Sequence, residues 1–521
     1  NAIHVKQYDA LCQKVAEQEK KVSKQRGLKT FLIVLTILFF VFGVVGIGLG
    51  IYFCMNGRSD LWWTFLIAAA CIGGGVGFII LTKKKVAKKL NEELKVLEKL
   101  KDDRDAKLKE CYIDMEKLNS SYDWNMPAVV MERCTPIIDL DQYFEVSKYY
   151  YLEKKFGLNV DGDEDTSNFG IISGNIHGNP FVLQRTFNND FGPQTYHGEL
   201  EYSWTTTHSG KNGTYTVTHT DTLHATVVHD APHYSYLTKL IYGNEAAPNL
   251  SFSRTPSGAS GKTGKDLDKF IEKKVKEMQK LADKAIKEGT NFTKLGNDKF
   301  DALFGCKNRD NEVEFRLLFT PLAQTNMTSL IENAQPYGDD FTLIKKKMVN
   351  IVITNHSQGF DYNVEPSTFR HYDWKVAREK FINYCDEFIQ SLYFDLAPLM
   401  SIPLYQMHMP HEYIYEQSIE SFISNPEHEV MANAMDPDYF YPNNSDHSLT
   451  LILKTSFVGK NQSSDNVKVH SYSYHTTPMT DYVPMRGKDG NIHQVPVHWI
   501  QYDRVETDVL IDVRHVGGTN Q

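Results

Sequence analysis

The sequence predicts an α+β protein: a two-helix transmembrane hairpin, a helical coiled-coil-like stalk, and a large mixed soluble domain rich in antiparallel sheet. Three observations carry this expectation. Two long charge-free apolar runs lie near the N-terminus, polar segments with helical spacing flank them, and beyond residue 126 alternating segments and turn residues take over. The chain has 521 residues, 41% hydrophobic and 23% charged, which is ordinary folded protein and excludes wholesale disorder. Its net charge of −9 hides a polarity: residues 1–120 carry about +7 and the remainder about −16. That balance excludes a generally basic nucleic-acid binder.

Residues 1–29 read as an N-terminal amphipathic helix, and residues 30–82 as the membrane hairpin. Residues 30–55 and 61–82 contain no charged side chain. A hydrocarbon core of about 30 Å needs roughly 20 helical residues, so each run is long enough to span. A signal peptide has a much shorter apolar stretch and no long polar segment ahead of it. Only residues 56–60 join the runs, which makes the hairpin tight and antiparallel. Lys20, Lys21, Lys24, Arg26 and Lys29 precede it, and Lys83, Lys84, Lys85, Lys88 and Lys89 follow it, unopposed by acids. The positive-inside bias therefore predicts a multi-pass cell-membrane protein with both termini and the soluble domain in the cytoplasm. Trp62 and Trp63 suit the interfacial belt on the far side. Gly46, Gly50, Gly73 and Gly77 have the small-xxx-small spacing of close helix packing, within the hairpin or between protomers.

Residues 83–125 read as the stalk. Val86, Leu90, Leu94, Leu97 and Leu100 form one stripe and Leu108, Tyr112, Met115 and Leu118 another, both at helical spacing. Val5, Tyr8, Val15 and Val22 form the matching stripe of the N-terminal helix. A surface-lying amphipathic helix is the rival reading, and the acids Glu92, Glu93, Asp102 and Asp103 disfavour it. The N-terminal stripe looks too narrow to cover both leucine stripes, so the expectation is a homo-oligomer in which a neighbouring protomer supplies the missing surface.

The soluble part divides on sequence into an α+β region, residues 126–365, and a helix plus antiparallel strands, residues 366–521. Strands are expected at 214–229 and 348–354, helices at 266–287, near 323–333 and at 374–394. Four or five strands are expected over 448–516, with Lys488, Asp489, Gly490 and Asn491 as a hairpin turn. Within 214–229, alternation sends Tyr215, Val217, Leu223, Ala225 and Val227 to one face and a row of threonines to the other. Seven scattered cysteines, an odd count without framework spacing, argue for free thiols and a reducing compartment. Asn-x-Ser/Thr sequons matter only outside the cytoplasm.

Candidate chemistry is sparse. The segment SGASGKT at 257–263 invites a phosphate-loop reading, but Pro256 stands where the fingerprint needs its first glycine and no buried strand precedes it. A flexible link capping the next helix is the better reading. His219, His224, His229 and His233 share one strand and cannot converge on one metal; His408 and His411 lack an H-E-x-x-H frame. The acidic run at 161–165 has Thr166 where a calcium loop turns on glycine. The sequence therefore offers no catalytic residues, no cofactor and no metal.

NDKFDALFG at 297–305, followed by EVEFRLLFTP at 312–321, resembles an uncharacterised bacterial membrane-protein family, domain of unknown function 3137. SGNIHGNPF at 173–181, YHGEL at 196–200, the strand at 348–354 and Phe360 look like other parts of its pattern. The likeness covers roughly residues 130–365; residues 366–521 look like an extension outside it. It implies a basic-flanked membrane hairpin followed by an α+β domain, and no activity. The expected role is a non-enzymatic, membrane-anchored, self-assembling scaffold with the lipid bilayer and copies of itself as partners. A membrane-tethered sensor of a ligand or peptide is the alternative, and a membrane-tethered hydrolase the third.

Overall fold

A computed structural model describes residues 1–55, 63–159, 164–210, 213–290, 292–407, 409–410, 425–461 and 464–514, the side chain of Phe53 excepted. The expected hairpin loop at 56–60, Trp62, the acidic residues 161–163 and the pair His408 and His411 lie outside the described residues. The chain forms two compact units. One holds residues 1–123 and 365–384, the other residues 124–364 and 385–521. This corrects the expected division at 365: residues 385–521 belong with 124–364, and only a short piece returns to the N-terminal unit.

The first unit is built on α1 (Ala2–Met55), α2 (Trp63–Leu81) and α3 (Ala87–Asn119), with a π-helical turn, Thr82–Val86, joining the last two. Two of its helical stretches are long and apolar enough to cross a membrane. Their outward side chains, among them Phe31, Val41, Phe42 and Val44, are exposed, as a lipid-facing surface requires. α1 and α2 approach closely through glycine. A Cβ at Gly46 would sit 3.1 Å from that of Ala68, and one at Gly50 would press on the Phe65 ring at 2.7 Å. Gly43, Gly74 and Gly75 approach Ile72, Phe39 and Phe40 in the same way. Gly73 and Gly77 have nothing within 4 Å of a Cβ, so they take no part in this contact and their neighbour Gly74 does instead. A helix turns about 100° per residue, so one step along the sequence decides which glycine faces the partner.

Beyond the apolar runs α1 packs on α3. Val15 and Val22 bury against Leu90 and Leu97, with Leu94 and Leu100 half-buried beside them. Gln18 is buried among them and its amide donates to Glu93, 3.1 Å to the carbonyl and 2.5 Å to the carboxylate. Lys101 and Glu19 pair at 2.8 Å on the rim. Cys111 and Met115 are buried and Leu108 is half-buried, whereas Val96, Tyr112, Ile113 and Leu118 stay exposed. α1 therefore covers Leu90 and Leu97 of the first stripe, while the second is covered only in part, with Tyr112 and Leu118 exposed. Residues 365–384 also help: Tyr372 packs on Tyr8 with ring centroids 5.0 Å apart, and Phe369 and Phe381 cover Tyr122. The leucines of the stripe leave water inside one chain.

The second unit runs through α4 (Met126–Cys134), β1 (Ile138–Leu140), α5 (Val146–Lys154), β2 (Thr166–Ile176), β3 (Asn179–Gly210), β4 (Gly213–Gly243) and β5 (Ser251–Arg254). It continues with α6 (Gly264–Glu288), α7 (Asp298–Phe304), α8 (Glu312–Leu318), α9 (Pro321–Ile331), β6 (Phe341–Lys346) and β7 (Val349–Thr354). α10 (Trp374–Met400) begins in the first unit and ends in the second; α11 (Asn425–Asn433), β8 (Ile452–Lys460), β9 (Ser464–Arg486) and β10 (Ile492–Arg514) complete it. One antiparallel sheet has the order β1-β2-β3-β4-β7-β6-β5 and a second the order β10-β9-β8. The class is α+β, as expected, but the C-terminal region holds three long strands rather than four or five.

α5 seals one face of the larger sheet, where Tyr149, Leu152 and Phe156 pack on Ile171, Val182, Ile241 and Val349. The segments that carry the family resemblance form a phenylalanine core: Phe300, Phe304, Phe315 and Phe319 are buried around Phe252 of β5. Asn297, Asn311 and Thr320 start α7, α8 and α9 by accepting from Phe300, Glu314 and Ala323 backbone N–H groups. That spacing of caps and aromatic residues is a packing pattern.

The structure predicts how the first unit responds to truncation. Leu97→Ala should destabilise the α1–α3 pairing by about 2–5 kcal/mol. Hydrogen exchange should accelerate along α1 residues 12–24 and α3 at every protein concentration, because the buried surface is intramolecular. A loss that vanishes on dilution would instead place the partner surface in another chain.

Candidate functional site: a two-ribbon arm

β3 and β4 form one uninterrupted ladder from Phe181↔Tyr242 to Gly210↔Gly213. β2 flanks it only as far as Asn188, and β7 only over residues 240–243. From Asp190 to Gly210 the ribbon has no further strand beside it among the described residues. At roughly 3.3 Å per residue that is an arm of about 70 Å. A bare two-stranded ribbon is marginally stable, so its apolar face needs a cover.

The β9–β10 hairpin supplies it by lying face to face along β3–β4. At the base, Phe187 and Tyr234 pack with Ile452, Tyr472, Tyr474 and Tyr502. Midway, the His229 ring stacks on Trp499 at 3.6 Å and its Nε2–H donates to the Asp481 carboxylate, 2.8 Å away. That hydrogen bond holds the Asp481 carboxyl below its ordinary range. Further out, Val495 and Val497 are fully buried against Ala225, Tyr196, Leu200, Leu223 and Val227. Gly198 makes the approach possible, since a Cβ there would overlap the Pro496 carbonyl oxygen and sit 2.8 Å from Val497. The cover ends at the expected turn after Arg486. There the Lys488 N–H donates to the Tyr202 hydroxyl at 2.8 Å, and Lys488 pairs with Asp221 at 3.0 Å. The Lys488 hydrogen bond lowers the Asp221 pKa.

Past Tyr202 the first hairpin continues alone. The face that was covered below carries Trp204, stacked between Tyr202 and His219 at 5.4 and 5.3 Å, then His208 on Tyr215 at 5.6 Å. Thr206 bridges His208 and His219 at 3.1 and 2.8 Å. The opposite face is a hydroxyl array of exposed cross-strand pairs, Ser203↔Thr220, Thr205↔Thr218 and Thr207↔Thr216. In sequence, the one formal charge between Tyr202 and Thr220 is Lys211.

The residues singled out on sequence fall as follows. The histidines are dispersed, His224 pairing with Glu199 at 3.3 Å while His219 and His229 keep the partners named above. Among the described residues, no three His, Cys, Asp or Glu side chains group to hold a metal ion. All seven cysteines are free thiols. The SGASGKT loop is not a flexible link. The backbone N–H groups of Ser257, Gly258 and Ala259 donate to Asp339 Oδ2 at 2.9, 3.1 and 3.1 Å, and the Ser257 hydroxyl adds a fourth bond at 2.7 Å. Arg254 neutralises the same carboxylate from the other side, fully buried. The anion cradle exists, with Gly258 at φ +84°, and the protein's own aspartate occupies it. Thr263, at the start of α6, makes no side-chain cap. Of the basic residues flanking the apolar helices, all but the half-buried Lys29 are exposed.

Sequence reasoning found the alternation at 214–229 but missed that it continues through both strands as one ladder. The signal was present: Asn212-Gly213, a hairpin-forming dipeptide, sits between two segments of matched alternation. Comparison of the chain with protein-family models, with curated proteins and with solved structures finds no match in any of the three.

Gly198→Val tests the packing of the arm. Overpacking against Pro496 and Val497 should cost about 1–3 kcal/mol. Amide protection should fall along 479–500, while the central strands around Val182 and Leu240 keep theirs. Unchanged protection over 479–500 would mean that the two hairpins do not hold one another.

Proposed function

We propose that the protein is a membrane-anchored scaffold that assembles with copies of itself through the exposed end of its β arm. The observation that carries this reading is the uncovered ribbon beyond Tyr202. Free edges normally carry charge, proline or a covering element to block pairing with another chain. Proline and acidic residues stand lower on the arm, at Pro193, Glu199, Glu201, Asp230 and Pro232, yet 202–210 and 213–220 have neither. A β-branched, uncharged, two-edged ribbon suits strand addition by a second ribbon. The resemblance to a family with a membrane hairpin and an α+β domain agrees with anchoring and assigns no chemistry.

The basic flanks support a cell-membrane location with both termini and the second unit in the cytoplasm, where the free thiols would stay reduced. Exposed Cys134 provides the test of sidedness. In a Cys54→Ser background, which removes the exposed thiol at the far end of α1, a membrane-impermeant maleimide should label Cys134 only after intact cells are permeabilised; labelling of Cys134 in intact cells would reverse the topology.

Assembly is tested by mass in mild detergent. The full chain should run as a multimer, and replacing residues 203–219 by a short turn should lower the multimer fraction at least tenfold while the second unit stays folded. A wild-type chain that is monomeric at all concentrations, or a shortened arm that assembles equally well, would overturn the scaffold reading.

A further inference from the structure

A cavity of about 470 Å3 lies in the second unit, between the face of β2, β3 and β4 and the pair formed by α11 and β8. Strand register builds its floor. Gln184 lies opposite Lys239, Thr186 opposite Leu237, and Asn168 opposite Thr186, so alternation brings them to one face. Glu429 of α11 and Lys454 and Thr455 of β8 close the other side. Small-molecule pockets are usually apolar with a few polar groups. Here amides and hydroxyls dominate.

The charges are unbalanced at the inner end. The Lys239 ammonium has no hydrogen bond or ion pair among the described residues, and burial lowers its pKa, with repulsion from Lys454 adding to the effect. Lys454 lies 3.4 Å from Glu429 Oε1. Glu429 is itself committed elsewhere, because its Oε2 accepts from the Asn168 N–H at 3.0 Å and from Asn168 Nδ2 at 2.6 Å. Lys454 therefore has Glu429 as its counter-charge, whereas Lys239 has no carboxylate paired with it among the described residues. The acids Asp165 and Asp190 also line the cavity; Asp165 is tied to the Tyr472 hydroxyl at 2.7 Å and to Arg504 at 3.3 Å, and Asp190 is exposed. On the wall, Asn189 is 3% exposed, spends Nδ2 on the Tyr472 and Tyr474 hydroxyls, and leaves Oδ1 without a partner.

We propose that this cavity binds a small hydroxyl-rich anion, of the sugar phosphate or sugar acid class, with its anionic group between Lys239 and Lys454. An anion placed there supplies the counter-charge that Glu429 alone does not, and converts repulsion between two ammonium groups into a shared attraction. Hydroxyl groups match the remaining lining, since each can donate to an amide oxygen and accept from an amide N–H. An apolar ligand would strip water from these groups and return nothing. A cation would meet two ammonium groups. The inference is independent of the assembly reading, which concerns the far end of the arm.

Titration calorimetry on the full chain in detergent tests it with four probes: glucose 6-phosphate, glucuronate, glucose and inorganic phosphate. At least one of the two anionic sugars should bind saturably, at least tenfold more tightly than glucose and than phosphate. Lys239→Met should weaken that binding at least tenfold, with the near-ultraviolet circular dichroism of the fold unchanged, and Lys454→Met should weaken it as well. Lys280→Met, on the exposed side of α6, should bind like the wild type. Binding that survives Lys239→Met, glucose or phosphate binding as tightly as the anionic sugars, or no binding of either anionic sugar would each overturn the proposal.

Discussion

The β3–β4 ladder is the constraint on which the second unit depends. A single register, unbroken from Phe181↔Tyr242 to Gly210↔Gly213, decides which side chains of both strands share a face over their whole length. Near its base that face is closed by α5, with Leu152 and Phe156 on Val182 and Ile241. Farther out the β9–β10 hairpin closes it, with Val495 and Val497 on Ala225. A slip by one residue would expose all of these apolar groups at once. The same alternation places Gln184 and Lys239 side by side under Glu429 and Lys454, so the polar cavity and the arm are two consequences of one pairing.

Several buried charges in this unit, unlike Lys239, sit in dense hydrogen bonding. Asp339 takes three backbone N–H groups, one hydroxyl and the Arg254 guanidinium. Asp395 is held by Thr354 and by the Tyr362 hydroxyl at 2.7 Å; burial raises its pKa against those bonds and the nearby His356. At His356 burial works to lower the pKa, yet Asp340 at 2.6 Å and Asp395 outweigh it and the net direction is upward. A buried charge that keeps its partners contributes little net stability, whereas removing one partner costs about 3–5 kcal/mol. These clusters accordingly hold loops in register. The loop that resembles a phosphate cradle is an internal clamp.

In the first unit the close-packed glycines and the leucine stripe solve different problems. Gly43, Gly46, Gly50, Gly74 and Gly75 let α1 and α2 touch along the stretches long and apolar enough to cross a membrane, and in a bilayer such close packing would stand in for the hydrophobic drive that lipid does not offer. Leu90 and Leu97 meet Val15 and Val22 where water provides that drive. The π-helical turn at Thr82–Val86 separates the two regimes, and Lys83, Lys84 and Lys85 occupy it.

By itself the sequence determined what depends on composition and local period. The α+β class, the two apolar helices, the ends of α6 and β7 to within a residue or two, the turn after β9 and the absence of disulfide spacing were all legible, because each is written in consecutive residues. Tertiary structure decided what depends on distant partners. Which glycine of the run at 73–77 meets α1 turns on helix phase, and whether α1 covers the Leu90 stripe turns on how Val15 and Val22 are placed. The occupant of the SGASGKT cradle, Asp339, stands about eighty residues away in the chain and carries no mark of that role. Likewise Lys239 and Lys454 become neighbours only when β8 folds over the β3–β4 ladder. Alternation within a strand names the face of a residue; only the assembled layers say what that face touches.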